Sequence, residues 1–132
     1  MIGELETAEH IHGENGLDGT VLEKSPNKAI TNERYLQIYN RIIAAEGKVN
    51  YVNVGGMTNL ATLLLAFPEL KEKIERIVLM AGAITKGNMT PAAEFNVLVD
   101  PLAASMVFNA GVPVVMVPLE LTHTALITDD VF

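Results

Sequence analysis

An open, mainly parallel α/β sheet with flanking helices is the fold this sequence predicts, and three observations predict it. Residues 49–54, 76–80 and 113–117 are short, β-branched runs bounded by Gly, Pro or polar residues, as strands are. The middle run, Arg76-Ile77-Val78-Leu79-Met80, shows no polar alternation, which is expected of a parallel strand covered on both faces. Helical patterns fill the connections between the runs, as right-handed βαβ units require.

The elements follow in order. Residues 14–31 are loop-like, with Gly16, Gly19 and Pro26 among polar residues. Thr31 is then a suitable N-cap with Glu33 in the first turn. Tyr35, Leu36, Ile38, Tyr39, Ile42 and Ile43 follow at helical spacing, and Gly47 closes the element. After the first strand and Gly55-Gly56, residues 58–67 read as a buried helix that Pro68 stops. Asp100-Pro101 starts another helix, the aspartate as N-cap and the proline at the first helical position; it runs to about Asn109, with Gly111 as its cap. Asp129-Asp130, following Thr128, suit the first turn of a further helix better than a metal site.

Composition sets the class. With 132 residues, 49% hydrophobic and 19% charged, the chain holds one globular domain, residues 1–132. A net charge of −7, with nine scattered basic residues, argues against a nucleic-acid partner. No apolar run approaches the roughly 18 residues of a membrane span, so no membrane partner is expected. Glu4, Glu6 and Glu9 without a lysine predict no secretory signal, and the absence of cysteine excludes disulfides and thiolate metal sites; a cytoplasmic location follows.

Parallel sheets bind ligands beyond the carboxyl ends of their strands. Here those ends are residues 55–59, 81–99 and 118–123. The second is the longest and collects the polar residues, which favours a functional loop. Within it, Asn88, Glu94 and Asn96 offer two amides and a carboxylate separated by small or apolar residues. A sugar needs such a set of acceptors, donors and apolar wall, although an exposed polar loop would show the same spacing. Gly56-Met57-Thr58-Asn59 is either a tight turn in which Thr58 caps a helix, or a place where a backbone carbonyl faces a hard cation. His10 and His12 lack a third ligand nearby, so zinc is rejected. His123 ends the third strand, near the site or capping a turn.

Several strings, in order and in register, resemble the inosine-uridine preferring nucleoside hydrolases. They are Ile11-His12-Gly13-Glu14-Asn15-Gly16-Leu17, Gly56-Met57-Thr58-Asn59-Leu60-Ala61, Ile77-Val78-Leu79-Met80-Ala81-Gly82, Gly87-Asn88, Ala93-Glu94-Phe95-Asn96, Asp100-Pro101-Leu102-Ala103-Ala104 and Leu119-Glu120-Leu121-Thr122-His123. The resemblance implies a Rossmann-like fold, a ribonucleoside substrate, and hydrolysis of its N-glycosidic bond by calcium-activated water through an oxocarbenium-like state. It implies Asn88, Glu94 and Asn96 as the catalytic contacts to the ribose hydroxyls. Met80 and Phe95 would shape the sugar pocket, and His12 would line the site near the base. The backbone carbonyl of Thr58 would be one calcium ligand.

Two departures qualify what it implies. Asp18, Asp100, Asp129 and Asp130 are the only aspartates, and none forms the family's aspartate cluster; the family's later His-Asp pair is expected to lie beyond Phe132. The chain is therefore expected to be a partial domain, resembling a central fragment without the metal-binding and C-terminal segments. Alternatives are a catalytically inactive remnant or a nucleoside-binding α/β module. A phosphorylase would need a cationic phosphate site, for which the loop offers only Lys86. A homo-oligomer stays open.

Overall fold

A computed structural model describes residues 7–14, 16, 23, 25–27 and 32–126. Its elements are α1 (Glu9–His12), α2 (Arg34–Ala44), β1 (Val49–Asn53), α3 (Thr58–Ala66), α4 (Leu70–Lys73), β2 (Ile74–Met80), α5 (Phe95–Leu98), α6 (Pro101–Phe108), β3 (Val114–Val117) and α7 (Leu119–Thr122). The three strands form one parallel sheet in the order β1-β2-β3. The open parallel α/β architecture is as the sequence predicts.

Strand composition and helix placement explain the core. Leu60, Leu63 and Leu64 of α3, with Ala103, Ala104 and Val107 of α6, are buried against Ile77 and Leu79 of β2. Ile42 of α2 joins them, and Tyr39 stacks on Phe67 with ring centroids 4.4 Å apart. Small residues on α6 let it approach α3 closely.

The expectation that β2 is covered on both faces is not met among the described residues. Val52, Val78 and Val115 pair in register across the three strands, and Val52 and Val115 are 63% and 44% exposed. The cause is topological. Both crossovers step the same way along the sheet, so right-handedness puts α3 and α6 on one side of it.

Other differences are local. The α2 helix starts at Arg34, and Glu33 precedes it with φ 50° rather than standing in its first turn. Thr31, the expected cap, lies outside the described residues, as do Asp129, Asp130 and most of 14–31. The short α4 was not expected, and β2 begins two residues before the predicted run. Asp100 caps α6 as predicted, its carboxylate accepting the Ala103 N–H at 3.1 Å with Pro101 in the first turn. Asn109 is the C-cap of α6, and Gly111 follows with φ 80°. Thr58 is the first residue of α3 and not its cap.

Candidate functional site

Beyond the carboxyl ends of β1 and β2 lies a cavity of about 490 Å³. Six of the seven predicted site residues line it: His12 from α1, Met80 from the end of β2, Asn88 from the long loop, and Glu94, Phe95 and Asn96 from the start of α5. Ala8 and His12, four residues apart on a helical turn, present one face to it, and Val54, Gly55 and Ile11 complete the wall.

The polar groups are held by the backbone around them. Glu94, only 3% exposed, is the N-cap of α5. Its Oε1 accepts the Asn96 N–H at 3.0 Å, while Oε2 accepts the N–H groups of Gly82 at 2.8 Å and Val97 at 3.3 Å. Each carboxylate oxygen has about two acceptor sites, so Oε1 keeps one for a ligand. The loop that delivers Asn88 folds back on itself: Gly87 N–H donates to the Pro91 carbonyl and Met89 N–H to that of Ala93. A Cβ at Gly87 would run into the Ala93 backbone, so only glycine fits there.

The two amides face the cavity with opposite polarity. Asn96 Nδ2 donates to the Met80 carbonyl at 2.9 Å and contacts Met80 Sδ at 3.1 Å. A carbonyl can only accept, so the amide nitrogen must face it, and no described residue donates to the remaining Oδ1. Asn88 is reversed: its Oδ1 accepts the Phe95 N–H at 2.9 Å, leaving Nδ2 without a described acceptor. The cavity thus offers a donor, an acceptor and part of a carboxylate beside the ring of Phe95. That set matches a polyhydroxylated ring.

Thr58 is not brought to this cavity. It lines another, of about 190 Å³, between α3 and α6. Its carbonyl accepts the Thr62 hydroxyl at 2.7 Å, and its own hydroxyl donates to Asp100 Oδ2 at 2.6 Å. That bond, followed by the Ala103 N–H, holds the Asp100 carboxyl below its ordinary range. Among the described residues no group of three or more His, Asp or Glu side chains could hold a metal. The residues that the structure describes therefore do not fit a calcium ion.

The sequence profile of the inosine-uridine preferring nucleoside hydrolases matches residues 1–132. The chain belongs to that family. It is similar to the pyrimidine-specific ribonucleoside hydrolase RihA of Shewanella woodyi, 47% identical over 130 residues, which are 96% of this chain and 41% of that protein. RihA of Escherichia coli is 46% identical over 128 residues, 96% of this chain and 41% of the relative. Among solved structures, a purine-preferring ribonucleoside hydrolase from Gardnerella vaginalis superposes with a TM-score of 0.82 at 37% identity, covering 91% of this chain and 38% of that one. The chain thus spans about two fifths of the length of these nucleoside hydrolases.

One further carboxylate of this nucleoside hydrolase family member holds the loop that carries Asn88. Glu120, in α7, accepts the Thr85 hydroxyl and N–H, both at 2.7 Å, and the Ile84 N–H at 3.0 Å. The Thr85 hydroxyl, then the Ile84 and Thr85 amides, lower its carboxyl to about 2. Sequence reasoning noted its string but gave the residue no role. A glutamate directly after a strand end, opposite a long loop, was the available signal. His123, the C-cap of α7, lines a cavity of about 310 Å³ with Glu120 and Asn88.

Proposed function

We propose that this chain carries the ribose-binding side of a ribonucleoside hydrolase, an enzyme that cleaves the N-glycosidic bond with water to release ribose and free base. The observation that carries the proposal is the polarity of one cavity, with the Asn88 amide donor, the Asn96 Oδ1 acceptor and the free site on Glu94 Oε1 beside Phe95. Asn88, Glu94 and Asn96 are the catalytic contacts in this reading; Met80, Phe95 and His12 bind substrate.

The chemistry follows from where charge develops. As the glycosidic bond breaks, the sugar flattens and becomes cationic. Hydroxyl protons on a cationic ring are stronger donors, so their bonds to the Glu94 carboxylate and to Asn96 Oδ1 tighten in the transition state more than in the ground state. That difference is catalysis. Because Glu94 and Asn96 are already held by Gly82, Val97 and Met80, they reorganise little on binding.

Calcium, which the resemblance implies, finds no cluster of acidic or histidine side chains among the described residues, and no step is routed through it. The same observation favours a second reading, a nucleoside-binding module without catalysis. Titrating the chain with uridine and with inosine, followed through the side-chain amides of Asn88 and Asn96, tests the binding. Chemical shifts unmoved by either nucleoside at millimolar concentration would remove the sugar site. A base-release assay then separates enzyme from binding module. A chain without cysteine suits a reducing cytoplasm, where we place it.

A further inference from the structure

We propose that Glu120 is a positioning residue that fixes Asn88 at the ribose cavity by clamping the base of the loop that carries it. The geometry is specific. The loop leaves β2 at Met80, and its first turn is held from two sides. Gly82 N–H donates to Glu94 Oε2 at 2.8 Å, and its carbonyl accepts the Leu119 N–H at 3.0 Å. Two residues on, Glu120 takes both backbone donors of Ile84 and Thr85 and the Thr85 hydroxyl. Three residues after Thr85 comes Asn88.

Beyond Thr85 the backbone hydrogen bonds of the loop, among the described residues, run to the loop itself and to α5. Gly87, Met89 and Thr90 donate to the carbonyls of Pro91 and Ala93, and Asn88 Oδ1 accepts the Phe95 N–H. Such a loop can pivot as one piece about its ends. One end is fixed at Glu94 by the cap of α5; the other is fixed at Thr85 by Glu120, its hydrogen-bond partner among the described residues. Loosening the second end displaces Asn88 while leaving Glu94 and Asn96 in place, since the bonds that hold those two to Gly82, Val97 and Met80 do not involve Glu120. An ionised acceptor is suited to the task, because three donors converge on one group and charge-assisted bonds are the stronger kind. Its lowered carboxyl keeps it ionised across the neutral range.

The proposal rests on the sugar-site reading only for what Asn88 is held to do, and the test separates the two. In the 15N-labelled 132-residue chain, Phe95 amide exchange reports opening of its bond to Asn88, and Leu79 exchange reports the core. Glu120→Ala should accelerate Phe95 about tenfold while leaving Leu79 unchanged, the loss of a few bonds to a charged group being felt locally. Glu120→Gln, which keeps one acceptor oxygen, should restore most of the protection. Should Glu120→Ala not fold, Thr85→Val removes one donor to the same carboxylate and should give a smaller acceleration in the same direction. Unchanged Phe95 exchange, or equal acceleration at Leu79, would overturn the proposal. Uridine added to the wild-type chain and to Glu120→Ala supplies the second arm: the variant should lose the shift at Asn88 and keep that at Asn96. Absence of any uridine shift in wild type would end the sugar-site reading, and the exchange data would still decide Glu120.

Discussion

At Glu94 two demands meet on one carboxylate. It caps α5 and anchors the Gly82 turn with three backbone donors, and it is also the charged group of the proposed sugar site. Glu94→Gln therefore does two things. The amide nitrogen cannot accept, so at least one buried N–H loses its partner, at a cost of about 1–3 kcal/mol. Urea denaturation of the 132-residue chain should show that loss as a lower midpoint with an unchanged slope. In a complete hydrolase containing this segment, the variant should also lose turnover, because the ionised acceptor that tightens on a cationic ribose is gone. An unchanged midpoint would mean that the cap relaxes freely. Unchanged turnover in the complete enzyme would reduce Glu94 to a loop residue.

Between elements, the join of α3 to α6 turns on Asp100, which caps α6 and accepts the Thr58 hydroxyl from α3. Asp100→Ala should destabilise the chain by about 1–2 kcal/mol at neutral pH, the range for losing an N-cap. The sign of the pH dependence follows from the lowered carboxyl. Its contribution is fully present above the ordinary value of 3.8 and is lost as pH falls through the lower folded value. Urea midpoints of wild type and variant should therefore converge in acid; a constant gap would show that the charge plays no part. The sequence announced this element clearly, because Asp-Pro ahead of an apolar helix has few other uses. It announced the strands as well, since β-branched runs bounded by Gly, Pro or polar residues are local signals. The α5 turn is hidden because it has only four residues and its cap, Glu94, is not one of the short polar side chains that ordinarily mark a helix start. Thr58 is a different case. Its position after a strand suggests a carbonyl facing the sheet edge; α3 starts there, and that carbonyl accepts the Thr62 hydroxyl, a bond no local pattern announces. The opposed polarity of Asn88 and Asn96 depends on partners seven and sixteen residues away, and no spacing rule contains it.

For the molecule as a whole, the sheet shows an apolar row of Val52, Val78 and Val115 on its open face, and parallel sheets are ordinarily covered there. The 132-residue chain should associate with rising concentration, and Val115→Lys should shift sedimentation toward the monomer; an unaltered distribution would mean that this face is not the contact. The last expectation concerns metal and activity together. Calcium takes six to eight oxygens, and affinity rises with the number of carboxylates among them. At the described site the carboxylate present, Glu94, already accepts three N–H groups, and the Thr58 carbonyl accepts the Thr62 hydroxyl. Stripping Glu94 of those bonds to serve a cation would unmake the α5 cap and the Gly82 turn, so the energy of ligation would be spent against the fold. Purified alone, this chain should neither bind calcium tightly nor hydrolyse nucleosides, because the described residues hold no cluster that could bind a metal and so lower the pKa of water. Isothermal titration with calcium and base-release assays on inosine and uridine measure both. Micromolar binding together with release of base would overturn the expectation, and would mean that acids outside the described residues, Asp129 and Asp130 first among them, reach the cavity and supply the missing oxygens.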